Sequence, residues 1–150
     1  KLLEKGIPAY VLDGDNLRHG LNADLGFSMA DRSENLRRLA HVAAILADSG
    51  QVVLVPAISP LAEHRELART VADEAGVEFF EVFCDTPLDD CERRDPKGLY
   101  AKARSGEITH FTGIDSPYQR PKNPDLRLTP ERSPDELAAA VIEMLESRGQ

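Results

Sequence analysis

The stretch Ala9-Tyr10-Val11-Leu12-Asp13-Gly14-Asp15-Asn16-Leu17-Arg18 decides how this chain is read. Four apolar residues end abruptly at two carboxylates, an amide and a guanidinium. If the apolar run is a strand, these groups sit at its C-terminal edge, where open α/β sheets bind ligands. Carboxylates such as Asp13 and Asp15 hold metal ions or orient a hydroxyl, and an arginine such as Arg18 grips an anion in two places. A helix beginning at Asn16 would also turn backbone N–H groups toward an anion. Asp-Gly is a common turn pair, but Arg18 close behind favours a functional reading. The first expectation is a phosphate-handling α/β protein.

The rest of the chain extends that frame. Val52–Ala57, Phe79–Cys84 and Leu126–Leu128 read as further strands. The first of these is continuously apolar between Gly50 and Pro60, as in a buried parallel strand. Helical patterns lie between. Leu36, Leu39, Ala40, Ala43, Leu46 and Ala47 share one face of a helix that starts at Ser28 and stops near Gly50. Ser28 and Asp31 resemble a capping box. Ser59-Pro60, Thr86-Pro87 and Ser133-Pro134 each read as a hydroxyl cap followed by proline in the first helical position. The last helix is expected to turn Leu137, Ala140, Val141, Met144 and Leu145 inward. Alternating strands and helices predict a mainly parallel sheet with helices on both faces, a three-layer α/β/α arrangement. Ser105–Asp125 breaks the pattern and reads as a binding loop or lid.

The totals agree. The chain has 150 residues, 41% hydrophobic and 29% charged, consistent with one globular domain. No apolar run approaches membrane-spanning length, and the N-terminus is no signal peptide, so a cytoplasmic location is expected. The two cysteines, Cys84 and Cys91, are expected to be reduced, partly buried thiols. A net charge of −8 argues against a nucleic acid polymer as partner. Arg93, Arg94, Lys97, Lys102 and Arg104 nonetheless form a basic run, suited to a small polyanion or to a solvated helix face.

Other residues carry chemistry more quietly. Arg32 and Asn35 fall on one face near a helix start, where anions are favoured. Ser59 reads as a helix cap with ligand contact. His64 lies one turn beyond it, which is weak support for a nucleophile–base pair. Phe27 and Phe111 sit in polar, glycine-bearing surroundings, free to stack on a nucleobase or to pack locally.

In order, the strings Asp13-Gly14-Asp15-Asn16-Leu17-Arg18, Gly26-Phe27-Ser28, Asp31-Arg32, Glu34-Asn35-Leu36-Arg37-Arg38, Ile58-Ser59-Pro60, Phe80-Glu81-Val82-Phe83, Arg94-Asp95-Pro96-Lys97-Gly98-Leu99-Tyr100 and Phe111-Thr112-Gly113-Ile114-Asp115 resemble the adenylylsulfate kinase family. That family phosphorylates the 3′-hydroxyl of adenosine 5′-phosphosulfate (APS) with ATP, giving PAPS in sulfate assimilation. The resemblance implies a P-loop kinase-like fold, Mg²⁺ and ATP. It implies that Asp15 orients the attacking hydroxyl and that Asp13, Asn16, Arg18, Arg32 and Asn35 contact substrate, the last three at its phosphosulfate end. Phe27 and Phe111 would sandwich adenine, and Ile58 and Ser59 would line the site. Ser59 also matches a serine described in the family as a phosphorylated intermediate. Lys97 and Leu99 would contact substrate from a lid spanning about residues 93–125, with Lys97 neutralising the transferred phosphate. Arg93 and Arg94 would reach the ATP side. A homodimer is implied, as is fusion to or association with ATP sulfurylase.

One family feature does not match. The Walker-A string Gly-x-x-Gly-x-Gly-Lys-Ser/Thr, whose amides and lysine cradle phosphates, does not occur in these residues. Lys1–Gly6 resembles the tail of the helix after that loop. The expectation is therefore that the first strand and the P-loop lie outside these residues, and that the chain as it stands does not turn over. Another small-molecule P-loop kinase and a non-catalytic APS-binding module are the alternatives.

Overall fold

The computed structural model describes residues 1–148 and divides into two compact units, Lys1–Phe79 and Phe80–Gln150. The division falls inside the run read as a strand from Phe79, which becomes extended pairing only at Val82.

The first unit opens with a single 3-10 turn, Leu3–Lys5, closed by Gly6 at φ 75°, a left-handed conformation that glycine adopts without Cβ strain. Lys5 N–H also reaches Lys1 O at 3.2 Å, the i→i−4 spacing of an α-helical turn. β1 (Ala9–Val11) follows, then α1 (Gly14–Arg18), α2 (Met29–Asp48), β2 (Val52–Leu54) and α3 (Ala62–Glu74). β1 and β2 pair in parallel, with Tyr10 opposite Val53. α2 starts as read: Ser28 Oγ accepts the Asp31 N–H at 3.1 Å and donates to the Asp31 carboxylate at 2.7 Å. It packs on α3 and β2, burying Leu39, Ala44, Val71 and Ala72.

β2 is shorter and more open than its apolar sequence predicts. Leu54 and Val55 are exposed, as are Tyr10 and Val11 in β1. A continuous apolar run becomes a fully buried strand only when both faces are covered, and this ladder is two strands wide.

The second unit holds β3 (Val82–Cys84), α4 (Leu88–Arg94), α5 (Leu99–Arg104), β4 (Leu126–Leu128) and α6 (Pro134–Arg148). β3 and β4 are parallel, Phe83 opposite Arg127. Phe83, Ala103 and Ile142 are its buried apolar residues. Ile142, absent from the inward set read for the last helix, is the most buried of α6; the other five are half-buried.

Two of the three expected caps do not form. α3 begins at Ala62 behind Leu61, and Ser59 caps nothing; its φ of 40° turns the chain before the helix. α4 begins at Leu88, because Pro87 has an extended ψ of 144° and stays outside the helix. Ser133 does cap α6: its Oγ and N–H donate to the Glu136 carboxylate, each at 2.7 Å. Cys84 is exposed rather than partly buried, and Cys91 is half-buried.

Candidate active site

In the first unit, the site grows from the end of β1. Leu12 N–H donates to Leu54 O at 2.8 Å, so the ladder continues to the residue before Asp13. Asp13 Oδ1 then accepts the Asp15 N–H at 2.9 Å and caps α1. The helix therefore starts at Gly14, two residues before the expected Asn16. The cap engages only Oδ1 of the half-buried Asp13, and Asp15 is exposed just beyond the strand end. Asn16 is exposed beside them.

Arg18, in the last turn of α1, folds back over the next segment. Its Nη1 donates to Leu25 O at 3.2 Å and Gly26 O at 3.0 Å, and its guanidinium carbon lies 4.5 Å from the Phe27 ring centroid. Such stacking of a guanidinium on an aromatic face is a favourable cation–π contact. Arg32 Nε donates to Phe27 O at 3.0 Å. Gly26 belongs here because a Cβ would stand 3.0 Å from Asp31 Oδ2, the oxygen that holds Ser28. Phe27 is thus carried on a strapped segment while its ring stays 68% exposed.

Charge pairing separates the arginines. Arg37 and Arg38 are tied to carboxylates, Arg37 to Glu34 at 2.7 Å and Arg38 to Asp24 and Glu34. These partners hold the Glu34 carboxyl down at about 2 and raise both guanidinium pKa values. Arg18 and Arg32 bond backbone carbonyls, which satisfy N–H groups without cancelling charge. Among the described residues neither makes an ion pair, so both cations remain available to an anion.

Asn35 is buried on α2, its Oδ1 taken by Asn22 Nδ2 at 2.9 Å. Ile58 is exposed. Ser59, with its carbonyl accepting from Arg65 at 2.8 Å, holds a φ of 40°, in the left-handed region. Such backbone costs of order 1–3 kcal/mol and clusters at functional sites. His64 does not face Ser59 as a base: its Nε2 meets Ser33 Oγ at 2.9 Å. Ser33 Oγ also lies 3.0 Å from Met29 O, so the hydroxyl bridges the imidazole and the helix backbone.

In the second unit, Asp95 ends α4 and its carboxylate accepts from Tyr100 N at 3.1 Å and Ala101 N at 3.0 Å, fastening the first turn of α5. Lys97 is exposed on the short link so formed, and Leu99 opens α5. Much of the basic run is a paired surface: Arg93 meets Asp90, Arg104 meets Glu92 and Lys102 meets Glu107. Arg94 and Lys97 make no ion pair among the described residues. Phe111 is half-buried, edge-on to Tyr100 with centroids 5.0 Å apart, so local packing holds part of its ring. Ser105–Asp125 has no helix or strand, yet it is not structureless. Asp115 accepts the His110 and Phe111 N–H groups, which lower its pKa and close a tight turn.

Sequence reasoning missed Asp85. It follows β3 as Asp13 follows β1, and its buried carboxylate is held by Arg120 and Arg127. The same rule that singled out Asp13, an acid directly after an apolar run, would have found it. Asn22 was missed as well; in Leu21-Asn22-Ala23-Asp24 it reads as an ordinary loop residue.

These features define an α/β protein of parallel strands that presents acids and unneutralised arginines beyond strand C-termini. The adenylylsulphate kinase family pattern matches residues 1–129. A bifunctional CysN/CysC enzyme of Mycobacterium tuberculosis is 84% identical over 147 residues, covering 98% of this chain and 24% of the relative. A probable adenylyl-sulfate kinase of Bacillus subtilis is 53% identical over 150 residues, covering 99% of this chain and 74% of that protein. The solved structure of M. tuberculosis APS kinase CysC in complex with AMPPNP and APS superposes with a TM-score of 0.94 at 83% identity, over 97% of this chain and 84% of that one. The chain belongs to the adenylylsulphate kinase family, and its fold is of the P-loop kinase-like α/β class. It spans 24% of the length of the bifunctional mycobacterial relative.

Proposed function

We propose that this protein is an adenylylsulfate kinase, transferring the γ-phosphate of ATP to the 3′-hydroxyl of APS to give PAPS. The observation that carries this reading is its likeness, at 83% identity, to a kinase structure holding AMPPNP and APS. The unneutralised Arg18 and Arg32 support it, since a phosphosulfate needs cations not already spent on carboxylates.

In this reading Arg18, Arg32 and Asn35 hold the phosphosulfate, and Phe27 offers an aromatic face to adenine. Ile58 and Ser59 line the same pocket. Ser59 shapes it through its turned backbone, and direct transfer to the ribose oxygen is more economical than a phosphoserine. Asp13 and Asn16 flank the substrate, and Asp15 orients the 3′-hydroxyl and accepts its proton. In the second unit, Lys97 and Leu99 belong to a lid over about residues 93–125. There Lys97 neutralises the moving phosphate, Phe111 offers a second aromatic face, and Arg93 and Arg94 serve ATP. Phosphoryl transfer asks mainly for positioning and charge neutralisation, which this inventory supplies.

Mg²⁺ fits the donor set. Asp13 and Asp15 offer carboxylate oxygens within one turn, and no cluster of three acidic, histidine or cysteine ligands occurs among the described residues. Magnesium is commonly held by one or two carboxylates together with substrate phosphates and water. Bound there, it would neutralise phosphate charge. A homodimer, a cytoplasmic location and fusion to or association with ATP sulfurylase are part of the proposal, supported by family resemblance and, for fusion, by the bifunctional relatives. No helix among the described residues is long and apolar enough to cross a membrane.

The test has two parts. Calorimetry with APS should give binding, whereas nucleoside monophosphates or sugar acids should bind far more weakly; no preference for APS defeats the reading. In phosphoryl transfer from Mg-ATP to APS, Asp15→Asn should fold normally and lose most of its turnover. Unchanged turnover would remove Asp15 from the chemistry.

A further inference from the structure

Asn22 lies in the segment joining α1 to α2, with 0% of its surface exposed. Its backbone N–H donates to Leu17 O at 2.8 Å and its carbonyl accepts from Leu25 N at 3.1 Å, which fixes where the side chain starts. Its Nδ2 donates to Asn35 Oδ1 at 2.9 Å. Its own Oδ1 is buried with no hydrogen-bond partner among the described residues. A buried unsatisfied oxygen destabilises the fold, a cost that an apolar residue of similar size would avoid. What the asparagine adds in return is a single oriented donor.

That donor decides what Asn35 can offer. A primary amide has an acceptor end and a donor end of nearly the same shape, and half a turn about its last torsion exchanges them. With Oδ1 occupied by Asn22, Asn35 has only Nδ2 to present to a ligand. The phosphosulfate of APS is acceptor-only: it attracts the nitrogen end and repels the oxygen end.

We propose that Asn22 is a positioning residue, which locks the Asn35 amide with its nitrogen toward the anionic end of APS. The proposal rests on the reading of Asn35 as an APS contact. It extends the substrate machinery to a residue that never touches substrate.

Asn22→Asp keeps the shape but offers Asn35 only acceptors. The Asn35 nitrogen then turns inward and its oxygen faces the anion. Calorimetric titration of APS into the unaltered chain, Asn22→Asp, Asn35→Ala and the double variant tests this. The expected result is about tenfold or greater weakening for each single variant, the scale of a lost hydrogen bond to a charged group. The double variant should bind no worse than Asn35→Ala alone. Undiminished weakening by Asn22→Asp in the Asn35→Ala background overturns the proposal, because Asn22 would then act through charge or fold. So does weakening by Asn35→Ala with none from Asn22→Asp. If Asn35→Ala binds like the unaltered chain, the assignment of Asn35 itself fails, and the proposal with it. Should Asn22→Asp not fold, side-chain amide NMR of the unaltered chain takes its place. The Asn35 amide protons should shift with APS, while those of Asn22 exchange slowly with solvent before and after. An unmoved Asn35 signal, or Asn22 protons exchanging like a surface amide, overturns it.

Discussion

Arg18 and Arg32 hold their side chains in place by bonding carbonyls of the segment they serve. Much of the ordering entropy of two long side chains is therefore lost during folding rather than on ligand arrival. Phe27 is fixed by the same bonds, yet its ring contributes little to packing at 68% exposure. Phe27→Ala should therefore weaken APS binding by about 1–3 kcal/mol, the scale of one base stacked on an aromatic ring. Its melting temperature should stay unchanged, and a drop of several degrees would reassign the ring to the fold. The identity of these residues was legible in sequence because their types and spacings are chemical. Their pairing was not. The string Glu34-Asn35-Leu36-Arg37-Arg38 places Glu34 at helical spacing from both arginines, but nothing in it shows that Arg38 also finds Asp24, fourteen residues back. Asn22 was hidden because its side-chain bond to Asn35 reaches thirteen residues along the chain.

Among the elements, three hydroxyl–proline pairs looked alike and behaved differently. Ser133 forms a reciprocal box with Glu136 at the start of α6, and that contact lowers the Glu136 pKa. Ser133→Ala should therefore cost about 1 kcal/mol of stability in urea unfolding. Ser59→Ala should lose no such capping term, since Ser59 caps nothing. Equal losses from the two would contradict the placement of these helix starts. What separates the pairs is backbone torsion, set by Ser59 at positive φ and by the extended ψ of Pro87. Residue type biases such angles without fixing them. Helix periodicity was the more reliable guide, because the face of α2 is enforced repeatedly by packing on α3 and β2.

Across the molecule, the alternation of strand and helix was readable, and both ladders are parallel as expected. The division into two compact units was not, because no change of composition marks the step from Phe79 to Phe80. Global stability should carry the signature of His64. Burial disfavours its charged form and holds its pKa below the ordinary 6.5, with Arg65 adding repulsion and Glu63 opposing. The unfolded chain then takes up this proton first, so the contribution is complete above the unfolded pKa and is lost as pH falls toward the lower folded value. The urea midpoint should drop between about pH 7.5 and about pH 5.5, and His64→Gln should flatten that slope. An equal slope in the variant would assign the effect elsewhere. The Asp13 cap bears on a slower process. Asp-Gly bonds age when the glycine nitrogen attacks the preceding side chain, forming a cyclic imide that reopens as isoaspartate. The bond from the Asp15 N–H restrains the Asp13 side chain, so isoaspartate at this bond, read by peptide mapping, should accumulate more slowly in the folded chain than in urea.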